Sequence, residues 1–116
     1  MIYRKSEMSH SIKSNLRGGV GDLDFCHVIA KEELGNWATM LAAVTLQPGE
    51  SVGEHPHSDN GELFYVLSGS VMVADDGVEA ELHAGDAEFC AHGHTHAIRN
   101  HTDEPAVFLA LIVPNP

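Results

Sequence analysis

The chain is 116 residues long, with 6 basic residues against 17 acidic ones and a formal charge of −11. That length holds one domain with one core, and the charge repels phosphate backbones and anionic lipid, which argues against nucleic acid or a membrane surface as partner. The longest apolar run, Ala106 to Val113, is too short to cross a bilayer, and Met1 to Glu7 lacks the apolar stretch of a signal peptide, so a cytoplasmic protein is expected.

Met1 to about Leu16 is polar with no sustained period, and it runs into Arg17-Gly18-Gly19-Val20-Gly21. The glycines read as a loop that follows either a flexible arm or an edge strand. From Asp22 the pattern becomes a period of two: Leu23, Phe25, His27 and Ile29 alternate with Asp24, Cys26, Val28 and Ala30, as on a strand. Lys31 to Asn36 is a polar turn. Trp37 to Leu46 is mostly apolar and stops at Pro48-Gly49, which favours a second strand.

Glu62 to Ser68 reads as another strand, closed by Gly69. Ser70 to Ala74 and Val78 to His83 flank Asp75-Asp76-Gly77, a hairpin signal. Ala87 to Cys90, Thr95 to His101 and Ala106 to Val113 complete a series of about nine short strands with turns every 8 to 12 residues. No long helical period competes. The pattern suits an all-β sandwich or barrel. Cys26 and Cys90 are too few for a disulfide scaffold and form no CxxC pair, so they are read as small buried residues.

Chemistry concentrates in two runs. In the first, Gly49 is followed by His55, His57, Glu62 and Gly69; in the second, Gly85 is followed by Gly93, His96 and Asn100. On a strand, residues two apart point the same way, so His55 and His57 can face one interior, and Glu62 can return to the same mouth across the Ser58 to Gly61 turn. His96 comes from a separate strand. A site built from all four exists only when the barrel closes.

These runs resemble the paired motifs of the cupin superfamily, G-x5-HxH-x3,4-E-x6-G and G-x5-PxG-x2-H-x3-N. The first fits at every fixed position; in the second, Ala91 stands where the family has proline, which leaves that turn less rigid. Only 15 residues separate Gly69 from Gly85, which leaves no room for an inserted domain. The resemblance implies a single-domain double-stranded β-helix, or jelly-roll barrel, over residues 22–116, preceded by an N-terminal arm and glycine-rich loop over 1–21. It implies one divalent metal ion held by His55, His57, Glu62 and His96. Three imidazoles and a carboxylate suit manganese, iron, nickel, cobalt or zinc, and a six-coordinate ion would keep two adjacent positions open.

Around that set, His94 falls in the turn expected to rim the pocket and is the candidate proton donor, against the alternative of a solvated loop histidine. His27 either packs in the core or faces the pocket. His83, His92, His101 and His10 read as surface residues. Arg17 adjoins the glycine cluster and is the candidate counter-charge for an anion, against the alternative of an ordinary surface arginine. Phe64 and Tyr65 have opposite orientations, one inside and one outside. Asn100 shares the parity of His96, and Arg99 points the other way.

Two functions follow. The first is a metal-dependent enzyme of decarboxylase-like, dioxygenase or isomerase type, acting on a small carboxylate, hydroxy acid or sugar acid with the ion as Lewis acid. The second is a non-catalytic module that uses the same pocket to hold a metal or small ligand. The reading leans to the enzyme, with His94 and His27 as its only acid or base candidates, and expects a homodimer that protects exposed strand edges.

Overall fold

The computed structural model describes residues 1–115 as two antiparallel sheets built from ten strands. In chain order these are β1 (Ser9–Ser14), β2 (Asp22–His27), β3 (Met40–Leu46), β4 (Ser51–Pro56), β5 (Asn60–Ser68), β6 (Ser70–Asp75), β7 (Val78–His83), β8 (Ala87–Cys90), β9 (Thr95–Arg99) and β10 (Ala106–Pro114). One sheet runs β1-β2-β3-β10-β5-β8 and the other β4-β9-β6-β7. β10 inserts between β3 and β5, and β9 between β4 and β6, as in a jelly roll, and no described helix is long and apolar enough to cross a membrane.

Strand alternation sets the core. Leu23 and Phe25 of β2, Val44 and Leu46 of β3, Phe64 and Val66 of β5, Val71 and Val73 of β6, Ile98 of β9 and Phe108 of β10 are all buried and pack as one cluster. Each fully buried side chain of this size contributes about 1.5–3 kcal/mol relative to exposure, so the facing sheets are held mainly by this layer. Asp76 (φ 49°) and Gly77 (φ 81°) form the two-residue turn between β6 and β7, with both central residues left-handed. That conformation matches the twist of the strands it joins.

Of the two alternatives for the N-terminal stretch the edge strand is the one found, and two other elements differ from the sequence expectations. Residues 9–14 form an edge strand, β1, in register with β2 from Ser9 opposite His27 to Ser14 opposite Asp22. The polar stretch after β2 contains a short helix, α1 (Lys31–Leu34), whose Leu34 is buried. The strand expected from Trp37 begins at Met40, and Trp37 stands almost wholly in solvent. Its apolar character alone did not place it in the sheet.

Candidate metal centre

β4 does not alternate simply. Its pairing with β9 shifts register between Val52 and His55, and this irregularity lets both residues point inward although they are three positions apart. Gly53 lies in the shift. A Cβ there would run into the carbonyl oxygen of Arg17, so the strand can carry only glycine where the turn Leu16–Gly18 sits down on it. His55 faces His96 directly across the β4–β9 pair. His57 follows the end of β4, and its backbone is held on both sides by the next turn: its N–H donates to the His94 carbonyl at 3.0 Å and its carbonyl accepts from Gly93 at 2.8 Å. Glu62 enters from β5 in the opposite sheet, on the inward side with Phe64 and Val66.

The three imidazoles are oriented from behind. Nδ1 of His55 donates to the Gly53 carbonyl at 2.8 Å, Nδ1 of His57 to the Asn60 side-chain oxygen at 2.8 Å, and Nδ1 of His96 to Glu88 Oε1 at 2.8 Å. With each Nδ1 proton committed to an acceptor, the Nε2 lone pairs are left to face one another. Nε2 of His96 is 3.1 Å from both His55 Nε2 and His57 Nε2, and Glu62 Oε1 is 3.0, 3.1 and 3.5 Å from the Nε2 atoms of His57, His96 and His55.

Four acceptor atoms that close, in residues each at most 6% exposed, repel one another unless a cation sits among them. Metal–nitrogen bonds of about 2.1 Å place ligands at right angles roughly 3.0 Å apart, so the donor set fits a divalent ion. The thiol of Cys90 is not a competitor. Burial, and then the nearby Glu88 carboxylate, push it up to about 12.

Without a cation, the cluster holds protons instead. Burial alone would raise Glu62, but hydrogen bonds with His55 and His96 and the nearby imidazole charge outweigh it and bring the carboxyl to about 2. Burial alone would lower His96, but its bonds to Glu62 and Glu88 prevail and lift the ring to about 9. A proton on His96 Nε2 and a metal ion therefore compete for the same lone pair.

Three of the four donors, His55, His57 and Glu62, line a cavity of about 160 Å³. Its walls are mostly apolar, with Phe25, Val44, Phe64 and Phe108 among them, and Lys13 and Arg17 are its two cations. Phe64 lies flat on the His96 ring, with centroids 4.2 Å apart and planes 5° from parallel, while Tyr65 points outward.

The structure brings together His55, His57, Glu62 and His96, keeps Arg17 on the wall of the same cavity, and sets His94, His27, Asn100 and Arg99 apart. The His94 side chain is 54% exposed and lies outside the cavity wall, bonded through Nδ1 to Asp76 at the tip of the β6–β7 turn. That bond raises the His94 pKa, and Asp76 is lowered by the Thr95 backbone N–H and then by His94. His27 is half-buried against Ser11 Oγ at 2.8 Å and also lies outside the cavity wall. Asn100 is buried but pins a turn: its amide donates to the Leu46 and Glu104 carbonyls at 2.9 and 2.7 Å, and its oxygen accepts from Thr102. Arg99 points outward to Glu79.

Glu88 and Lys13 were not among the sequence candidates. Glu88 shares the inward parity of buried Cys90, and a charged residue on the core side of a strand was the available signal.

The cupin-domain family profile matches residues 42–112. The chain belongs to the cupin family. A Thermotoga maritima cupin relative named oxalate-binding protein is 37% identical over 113 residues, 97% of this chain and 93% of that protein. The tetracenomycin polyketide synthase protein TcmJ of Streptomyces glaucescens is 32% identical over 87 residues, 75% of this chain and 58% of TcmJ. Among solved structures, a Thermotoga maritima protein described as a predicted oxalate decarboxylase is similar with a TM-score of 0.92 at 37% identity, over 98% of this chain and 99% of that one. A sugar phosphate isomerase of the cupin superfamily from Silicibacter pomeroyi, at 22% identity and a TM-score of 0.81 over 100% of this chain and 77% of its own, shares the fold. The jelly-roll barrel expected from the sequence is the architecture this cupin has.

Proposed function

We propose that this cupin captures a small carboxylate-bearing molecule, such as oxalate, at a divalent metal ion held by His55, His57, Glu62 and His96. The observation that carries the reading is the convergence of three Nε2 lone pairs and Glu62 Oε1, with His55, His57 and Glu62 lining one cavity. Manganese, iron, nickel, cobalt or zinc would suit the donors, and such an ion supplies a Lewis acid with positions left for carboxylate oxygens. The name of the Thermotoga relative supports this choice of ligand.

The chain's own residues do the rest. Gly53, Asn60 and Glu88 fix the ring orientations, the apolar walls limit water, and Phe64 braces His96 from the side. Apart from His55, His57 and Glu62, the titratable groups on the cavity wall are Lys13 and Arg17. A wall of cations without a carboxylate or free imidazole favours holding an anion over the acid–base steps of turnover.

The test is elemental analysis of untagged protein beside His57→Ala, followed by calorimetric titration of the loaded protein with oxalate. About one equivalent of metal, absent from the variant, together with saturable oxalate binding supports the reading. Absence of metal from the wild-type protein after reconstitution overturns it.

We further propose a cytoplasmic homodimer. β1 and β8 end the six-stranded sheet, and pairing such edges between copies covers unpaired backbone groups. A monomer on gel filtration at micromolar concentration would exclude the dimer.

A further inference from the structure

Six basic residues serve a chain of formal charge −11, and two of them stand on the wall of one cavity. Lys13 reaches it from β1 and Arg17 from the turn Leu16–Gly18, beside His55, His57 and Glu62. Among the described residues, neither cation has a carboxylate oxygen within 4.0 Å, whereas Arg99 on the outer surface is taken up by Glu79. In so acidic a protein, two unpaired cations at one opening leave a local charge that a ligand can neutralise.

The backbone is shaped to place them. Arg17 adopts φ 55° and ψ 32°, a left-handed conformation unfavourable for a side chain of its size. The turn is held down because glycines stand at both contact points: a Cβ on Gly19 would meet the Ser51 carbonyl, and one on Gly53 would meet the Arg17 carbonyl. Lys13 sits opposite Leu23 in the β1–β2 pair, with its ammonium 5.4 Å from the centre of the Phe25 ring. Lys13 is thus half-buried against an aromatic ring, while Arg17 is exposed beside it on the same cavity wall, open to an incoming ligand.

We infer that Lys13 and Arg17 are the specificity-determining half of the site, and that they select molecules carrying a second anionic group beyond the one bound at the metal. This rests on the proposed capture of a carboxylate at His55, His57, Glu62 and His96. Any small carboxylate can occupy the metal end, so that end alone distinguishes poorly among acids. A dicarboxylate presents further oxygens to the guanidinium fork and the ammonium; an acid of similar size ending in a hydroxyl leaves those cations without a counter-charge.

The experiment compares oxalate with glycolate by calorimetric titration of the manganese-loaded protein, for wild type, Arg17→Gln and Lys13→Met, with metal content and melting temperature measured for each. Wild type should prefer oxalate. Each variant should keep its metal and lose about tenfold or more in oxalate affinity, collapsing the preference. Arg17→Lys, which keeps the charge without the fork, should retain more of the preference than Arg17→Gln, and it carries the test if the glutamine variant fails to hold metal. Loaded wild type that binds neither acid overturns the functional reading itself. Wild type that prefers oxalate while the metal-loaded variants lose less than about threefold leaves that reading standing and overturns this inference.

Discussion

Glu88 holds Nδ1 of His96 at 2.8 Å from behind, while its second carboxylate oxygen is buried with no hydrogen-bond partner among the described residues. One oxygen fixes the tautomer of the ring; the other leaves negative charge undiluted beside it. Replacing Glu88 with glutamine keeps an acceptor but removes that charge. Metal affinity should fall about 10- to 100-fold, measured by competition with a chromogenic chelator, while the far-ultraviolet circular dichroism of the β-sheets stays unchanged.

The metal-free protein should respond to pH in two windows. Glu62, lowered from 4.5 to about 2, contributes stability that is present above pH 4.5 and lost as pH falls toward 2. His96, raised from 6.5 to about 9, contributes stability that is full below pH 6.5 and lost as pH rises through 9. Loading should reverse the alkaline limb, because the ion displaces the His96 proton and its affinity climbs as that proton is lost. Thermal melts from pH 3 to 10, with chelator and with metal, check both limbs; identical alkaline limbs would contradict the competition at His96.

Gly53→Ala should disturb the site without touching a donor side chain. Its Cβ meets the Arg17 carbonyl, so either the turn lifts from β4 or the register shift that aims His55 inward relaxes. A loss of about 1–3 kcal/mol in denaturant unfolding is expected, accompanied by weaker metal retention.

His94→Ala should leave metal content unchanged. Only the exposed pair with Asp76 is lost, and the backbone bond from His57 to the residue 94 carbonyl does not depend on the side chain. Elemental analysis showing reduced occupancy would place His94 closer to the donors than its position on the outer turn allows.

Where a residue's role was marked by fixed spacing within a short motif, the sequence was informative. His55, His57, Glu62 and His96 stand at the expected separations and meet, and the Asp76-Gly77 turn forms as its residues require. Where the role depended on contact between distant segments, local pattern carried little signal. β1 is polar because its side chains cover only the rim of the sheet, so it lacks the alternation that marked β2. Lys13 gains its meaning only when β1 pairs with β2, and Gly53 only when the Arg17 turn lands on it. His94 and His96 differ by two positions, yet one lies in an exposed turn and the other on an inward strand position, a distinction made by where β9 begins.

The donor set draws on both sheets: His55 and His96 come from the four-stranded sheet and Glu62 from the six-stranded one. An ion bound there would act as a rivet through the two layers, favouring the folded chain over the unfolded one. The melting temperature would then rise with free metal concentration, by about 2.7 kcal/mol of added stability at a hundred times the dissociation constant. In a cell short of metal, ligand capture and this added stability would therefore be lost together.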